Sequence, residues 1–398
     1  MQLPQRRVET FADFLPRSPE DIPPVYAWFE QMRAGQPVYH TEQFPVWQVF
    51  RYADVQAVIT DYSNFSSQDT FEGFLQDTLV AKDPPDHRKL RNLVNLAFTP
   101  RAVARLSEHV TQITQELLDA VKAAGTMDVV SDVAFPLPAK IIAELLGVPA
   151  ADWDIFRRWA LFSGGANQNS SEQTGRSPQN MRQEMGSYFL RLLEARRRNP
   201  REDLITALSF AEIDGERLSE HELVSFCFLL LAAGQETTKN LIANTILCLT
   251  DHPDSLARLQ QEPELMPAAI EEVLRYLPPV WFLFRRTIQE VELGGQRIPA
   301  GQTVLAWTAS ANRDAAQFLE PDRFNIEREP NRHFAFGHGI HFCVGAPLAR
   351  LEARIALPMM LEQLRDLKRV EGVPINIRTG LVFVIRNLPV TFQSAPAS

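Results

Sequence analysis

The chain has 398 residues, 45% hydrophobic and 22% charged, with a formal net charge of −9; it can bury a large core, and its acidic balance disfavours nucleic acid as a partner. Its three cysteines, Cys227, Cys248 and Cys343, are too sparse for a disulfide framework and point to a reducing compartment. The N-terminal MQLPQRRVETFADFLPRSPEDIPP carries no apolar signal region, and the longest apolar run, Phe226–Ala233, is far short of the roughly 20 residues of a spanning helix. The expectation is a soluble, cytoplasmic protein with no membrane contact.

In chain order, the short stretches PVYH and VWQVF read as early strands, after which helical periodicity dominates. Apolar positions recur at three- and four-residue spacing over 101–123, 139–147, 181–198, 218–250 and 266–277. Residues 163–180 form one long polar segment, rich in glycine and serine, of the kind that makes lids or disordered loops. The stretch 290–307 reads as a hairpin turning at Gly294-Gly295, a last helix runs over 346–365, and GLVFVI near the end is β-like. No repeat or linker divides the chain. The predicted architecture is a single domain over 1–398, mainly α with small β-sheets along one edge.

Cys227 and Cys248 sit in SFCFLLL and TILCLT, where a thiol packs as a small hydrophobe. Cys343 is different, because it lies in FGHGIHFCVG, residues 336–345, beside Gly337 and Gly339. The following GAPLARLEARIAL starts a helix with Pro347 in its first turn, so the sulfur precedes a helix N-terminus, where free N–H groups favour a thiolate. Such a thiolate wants an electrophile or a metal. Zinc held by His338, His341 and Cys343, a Cys/His nucleophile, and haem iron with a thiolate ligand are the competing chemistries.

The loop fits F-x-x-G-x-[HR]-x-C-x-G through Phe336, Gly339, His341, Cys343 and Gly345, and so resembles the haem signature of the cytochrome P450 superfamily. The resemblance implies haem b, iron protoporphyrin IX, with Cys343 as the iron ligand, Phe336 packed near the sulfur, Gly337 and Gly345 in the haem-binding loop, and His341 on a propionate. Upstream, LLLAAGQETTKNLIANTI breaks an otherwise apolar helix with a polar run. It resembles the family's oxygen-binding kink through Ala233, Gly234, Glu236, Thr237 and Thr238. By that resemblance Glu236 and Thr237 form the acid–alcohol pair of proton delivery. Glu272 and Arg275 in AAIEEVLRY resemble E-x-x-R, and Arg323 in EPDRFN resembles the third member of a structural Glu-Arg-Arg network. His87 and Arg91, four apart in DPPDHRKLRNLV, match a propionate clamp, and the spacing to Gly294-Gly295 selects Arg285 over Arg286 as a further propionate ligand.

The resemblance further implies the cytochrome P450 fold and a monooxygenase that uses O2 and electrons from external NAD(P)H-dependent partners, a ferredoxin and its reductase. A haem-thiolate peroxygenase and a non-enzymatic haem sensor are the alternatives. The substrate is expected to be lipophilic, a fatty acid, terpenoid or steroid. By family position the pocket walls are Phe71, Phe74 and Leu75, Leu230 and Ala233, Val280, Trp281, Phe282 and Leu283, and Leu381 with Val382. Arg88, Lys89, Arg101, Arg105, Arg350 and Arg354 are expected to gather into a basic patch on the cysteine side for the redox partner.

Overall fold

The longest apolar stretch becomes the axis of the fold. Ser219 caps the helix Glu220–Leu229: its hydroxyl accepts the Glu222 amide at 3.2 Å, and the Glu222 carboxylate accepts the Ser219 amide at 2.7 Å, a reciprocal box that satisfies two amides left free at a helix start. One turn of π-helix follows at Leu230–Gly234, and the chain resumes as the helix Gln235–Asp251. From Gln235 to Leu249 every residue of that helix is buried except Thr237. A helix apolar nearly all round has to sit inside the protein. A Cβ on Gly234 would stand 2.9 Å from Cδ1 of Ile142, so the glycine permits the close crossing of the helix Pro136–Leu146. The computed structural model describes residues 15–41, 45–70, 73–163, 178–213 and 215–394.

Around this axis pack the helices Pro136–Leu146, Met266–Tyr276 and Ala346–Gln363, and the last also contacts Ser107–Val121. Five strands form one mixed sheet in the order Val38–Thr41, Val46–Val49, Thr303–Ala306, Leu283–Thr287, Phe65–Ser66. Within Leu283–Thr287 the two-residue alternation buries Arg285 and exposes Arg286. A second sheet joins Thr126–Asp128, Pro389–Ser394 and Leu364–Arg369. Two hairpins complete the β-structure: Val291–Leu293 with Gln296–Ile298, turning at Gly294-Gly295, and Ile377–Thr379 with Phe383–Ile385. The main core follows the helices, and a smaller one, including Val49, Val58, Phe65, Ile298 and Val304, lies against the five-stranded sheet.

The mainly helical architecture with small sheets is the one expected, with boundaries redrawn by tertiary packing. The segment 101–123 divides into Pro100–Ala104 and Ser107–Val121. The last helix stops at Gln363 because Leu364–Arg369 pairs into a sheet. Helices also form at Ile22–Gly35 and Tyr52–Thr60, whose amphipathic pattern is weak, and at Pro253–Gln261, which is strongly amphipathic but only nine residues long; the sequence reading expected none of the three. Of the polar segment 163–180, residues 164–177 lie outside the described residues. Among the described residues no helix is long and apolar enough to cross a membrane.

Candidate active site at the cysteine loop

The cysteine loop folds back on itself. Gly337 and Gly339 both have φ of 69°, a left-handed conformation that side chains resist, and the Cys343 amide donates to the Phe336 carbonyl at 2.9 Å. The helix then starts at Ala346 with Pro347 in its first turn; the Ala346 amide donates to the Cys343 carbonyl at 3.4 Å, and the Gly345 and Ala346 amides act on the sulfur in favour of its charged form. Arg350 lies 4.4 Å over the Phe336 ring and holds the Glu271 carboxylate with two bonds of 2.7 Å.

Cys343 is surrounded by protein yet keeps accessible surface, the combination of a side chain facing an enclosed space. Burial pushes its thiol up despite the two amides and the Arg91 and Arg350 guanidiniums. The helix terminus alone therefore does not favour the thiolate, contrary to the expectation from sequence. A thiolate here calls for a cation bound at the sulfur, which deprotonates a coordinating thiol outright. Among the described residues no group of three His, Cys, Asp or Glu side chains is arranged to share a metal ion, which removes the zinc reading of His338, His341 and Cys343.

The π-turn opens the central helix at the expected place. Ala233 is exposed and Gly234 and Thr237 are partly so, although the following residues are buried. The Thr237 hydroxyl donates to the Ala233 carbonyl at 2.6 Å, so its partner is helix backbone. Glu236 is 5% exposed and pairs with Lys239 at 2.6 Å.

Hydrogen-bond donors gather near the loop, and those that are paired meet carbonyls or a hydroxyl. His87 is 3% exposed and its Nε2 has no hydrogen-bond partner among the described residues; its ring centroid lies 4.4 Å from that of His341. His341 Nε2 stands 3.0 Å from the Ser67 hydroxyl, and Arg91 donates to the Phe342 carbonyl at 2.8 Å. Arg285 is buried, and its hydrogen bond runs to the Phe284 carbonyl at 2.7 Å. Asp83, the acid that acts on Arg285, is occupied by the Ser66 hydroxyl and the Ser67 amide. Burial, with the neighbouring cations adding to it, pulls His341 down to about 3. Burial also lowers His87 and Arg91 and brings Arg285 to about 10. Buried donors lacking anions fit a ligand that brings carboxylates of its own, as haem does. Arg286 is exposed and faces Asp69 at 3.9 Å.

Glu272 and Arg275 are wholly buried and joined by bonds of 2.7 and 2.8 Å. The third member of their network is Arg328, not Arg323. Arg328 Nε reaches the Glu272 carboxylate at 3.1 and 3.2 Å, whereas the exposed Arg323 side chain pairs with Glu320 and contributes only its backbone carbonyl, to Arg275 at 3.2 Å. Several expected walls are core: Trp281 stacks on Phe383 at 5.2 Å, Phe282 meets Trp307 at 5.1 Å, and Leu230 is buried. Leu75, Val280, Leu283, Leu381 and Val382 keep accessible surface, and Val280 bridges to Val382. Phe71 lies outside the described residues, and Phe74 falls in the short helix Gly73–Asp77. The basic patch is thinner than expected, because Lys89 pairs with Glu216, Arg105 with Glu202 and Arg350 with Glu271.

Comparison with known proteins agrees with this geometry. The profile of the family Cytochrome P450 matches residues 154–392. Putative cytochrome P450 YjiB of Bacillus subtilis is 42% identical over 88% of this chain and 90% of its own length. Cyclomarin C epoxidase CymV of Salinispora arenicola is 41% identical, covering 88% and 91%. The crystal structure of CYP109E1 from Bacillus megaterium in complex with testosterone superposes with a TM-score of 0.85 at 39% identity, over 92% of this chain and 98% of that one. The family uses haem with a cysteine thiolate ligand, and relatives over nearly the whole chain are hydroxylases and epoxidases. A cysteine loop beneath buried cations, a central helix opened by a π-turn and near-complete similarity to such enzymes lead to one conclusion: the chain belongs to the cytochrome P450 family and is a monooxygenase.

Proposed function

We propose that Cys343 is the thiolate ligand of haem b and that His87, Arg91, Arg285 and His341 hold the propionates. The observation that carries this reading is the buried donor set: the unpartnered His87 Nε2 and the Arg285 guanidinium await anions. Bound haem supplies reductive activation of dioxygen and insertion of one oxygen atom into an organic substrate. The Gly345 and Ala346 amides, which favour the charged form of the sulfur, moderate its charge. Ala233 and Thr237 present a small, partly polar surface to the reaction space, and Glu236 with Thr237 moves protons into it.

The substrate is a lipophilic molecule, with steroids first. The accessible apolar residues Leu75, Val280, Leu283, Leu381 and Val382 support this, as do the complexes of CYP109E1 with testosterone and corticosterone. Electrons come from a ferredoxin and its NAD(P)H-dependent reductase in the cytoplasm. The test is a spin-state titration with testosterone, followed by turnover with a surrogate ferredoxin and NADPH and, separately, with hydrogen peroxide alone. A hydroxylated steroid from the NADPH arm supports the reading. No spectral shift with any steroid refutes the substrate class, and product only with peroxide refutes the electron source.

A further inference from the structure

Glu271 and Glu272 are neighbours on the helix Met266–Tyr276, yet they face different partners. Glu272 enters the buried network with Arg275 and Arg328. Glu271 points to the cysteine helix, where Arg350 Nε and Nη2 donate to its two carboxylate oxygens at 2.7 Å each. Both side chains are half-buried, and the paired bonds fix the plane of the guanidinium. Its carbon lies 4.4 Å from the centre of the Phe336 ring, and the Phe336 carbonyl accepts the Cys343 amide at 2.9 Å. On the other side of the loop, the Ala335 amide donates to His333 Nδ1 at 3.2 Å, so Nε2 carries the hydrogen that reaches Glu271 at 3.1 Å. One carboxylate thus ties the segment before the cysteine to the helix after it. Burial raises Glu271, but the hydrogen bonds from Arg350 and His333 outweigh it and keep the acid ionised, at about 2. Against the burial that raises the Cys343 thiol, Arg350 acts in favour of the charged sulfur.

We infer that Glu271 is a positioning residue for Arg350 and that this pair sets the reduction potential of the bound haem: the carboxylate holds the guanidinium over Phe336 and offsets its charge, so the sulfur meets a paired cation. The inference rests on the reading of Cys343 as the haem ligand. Reduction from ferric to ferrous adds one electron, supplied by the redox partner, and neither forms nor breaks a bond within the pair. A nearby positive charge favours the added electron and a negative one opposes it. Removing only the acid leaves the cation uncompensated and raises the potential. Removing only the cation lowers it, and removing both returns it toward the wild type. A clamp that merely held the loop in shape would give no such reversal of sign.

The experiment is a potentiometric titration of the holoenzymes of the wild type, Glu271→Gln, Arg350→Met, Arg350→Lys and Glu271→Gln/Arg350→Met, with the reduced-CO spectrum recorded for each. At a fixed ambient potential the ratio of ferrous to ferric haem should rise about tenfold in Glu271→Gln and fall about tenfold in Arg350→Met, roughly 59 mV each way for a one-electron couple. Arg350→Lys keeps the charge and should stay nearer the wild type than Arg350→Met. The infrared C–O stretch of the CO complex should move the same way, up in Glu271→Gln and down in Arg350→Met, because a sulfur that donates more strongly to iron weakens the bound C–O. Arg350→Gln serves if Arg350→Met does not fold. The proposal is overturned if the folded single variants keep the wild-type potential or both move in one direction. It is equally overturned if the double variant does not return, or if Arg350→Lys behaves as Arg350→Met. A wild-type CO spectrum typical of histidine ligation would overturn the Cys343 reading and the proposal with it; a thiolate spectrum without the opposed shifts overturns the proposal alone.

Discussion

Arg328 against Arg323 is the sharpest contrast the fold offers. The Glu272 carboxylate is entirely buried and receives Arg275 twice, Arg328 Nε at 3.1 and 3.2 Å, the Asn325 amide at 2.8 Å and Asn331 Nδ2 at 3.2 Å. Arg328 also donates to the carbonyls of Leu319, Glu320 and Arg323 at 2.6, 3.1 and 3.0 Å, so one side chain both helps neutralise the acid and ties down the irregular segment 319–328. Removing one partner from a buried ionic network costs about 3–5 kcal/mol, a large share of the roughly 5–15 kcal/mol that keeps a protein folded. With an unfolding entropy of about 2.1 cal/mol/K per residue, this corresponds to a drop of roughly 4–6 °C for a chain of this size. The Arg323 side chain is 65% exposed and pairs with Glu320 at the surface, so its loss should cost about 0–1 kcal/mol. Calorimetry of Arg328→Ala and Arg323→Ala, with haem content read from the Soret band, measures the difference. Equal losses, or a larger loss for Arg323→Ala, would refute the assignment of Arg328 to the network.

Cys343→His should replace the strongly red-shifted Soret band of the reduced CO complex by one typical of histidine ligation; an unchanged spectrum would exclude Cys343 as the ligand. Among the described residues the Thr237 hydroxyl bonds only the Ala233 carbonyl, so Thr237→Ala should leave folding and haem content intact while product per NADPH falls several-fold and hydrogen peroxide rises, measured by oxygen and NADPH consumption. Burial raises Glu271, but hydrogen bonds from Arg350 and His333 outweigh it and hold the acid at about 2. Its stabilising contribution is complete above the ordinary value of this acid, 4.5, and disappears as pH falls toward about 2; Glu271→Gln should flatten stability against pH across that acid window in urea titrations. On the cysteine side, Arg101 and Arg354 are exposed, so Arg101→Glu/Arg354→Glu should slow reduction by an acidic ferredoxin and weaken its salt dependence in stopped-flow traces. An unchanged rate would move the docking face elsewhere.

The sequence by itself determined whatever depends on near neighbours along the chain. Proline in the first turn after Cys343, the glycines at 337 and 339, the three-residue step from Glu272 to Arg275 and the alternation separating Arg285 from Arg286 all follow from helix, strand and loop geometry over a few residues. The three-residue step from Glu236 to Lys239 carries the same kind of signal, and the two side chains pair. Only the tertiary structure decided what is set by meetings between distant segments. Arg328 and Arg323 both follow an irregular stretch in which no period fixes the direction of a side chain, so only the packed fold turns Arg328 inward onto Glu272 and Arg323 out to Glu320. Trp281 was no more legible as core, since its burial depends on Phe383, about a hundred residues away, stacking against it. The Cys343 thiol shows the same division: its place before a helix was local, but the burial that outweighs the helix amides comes from all the chain folded around it.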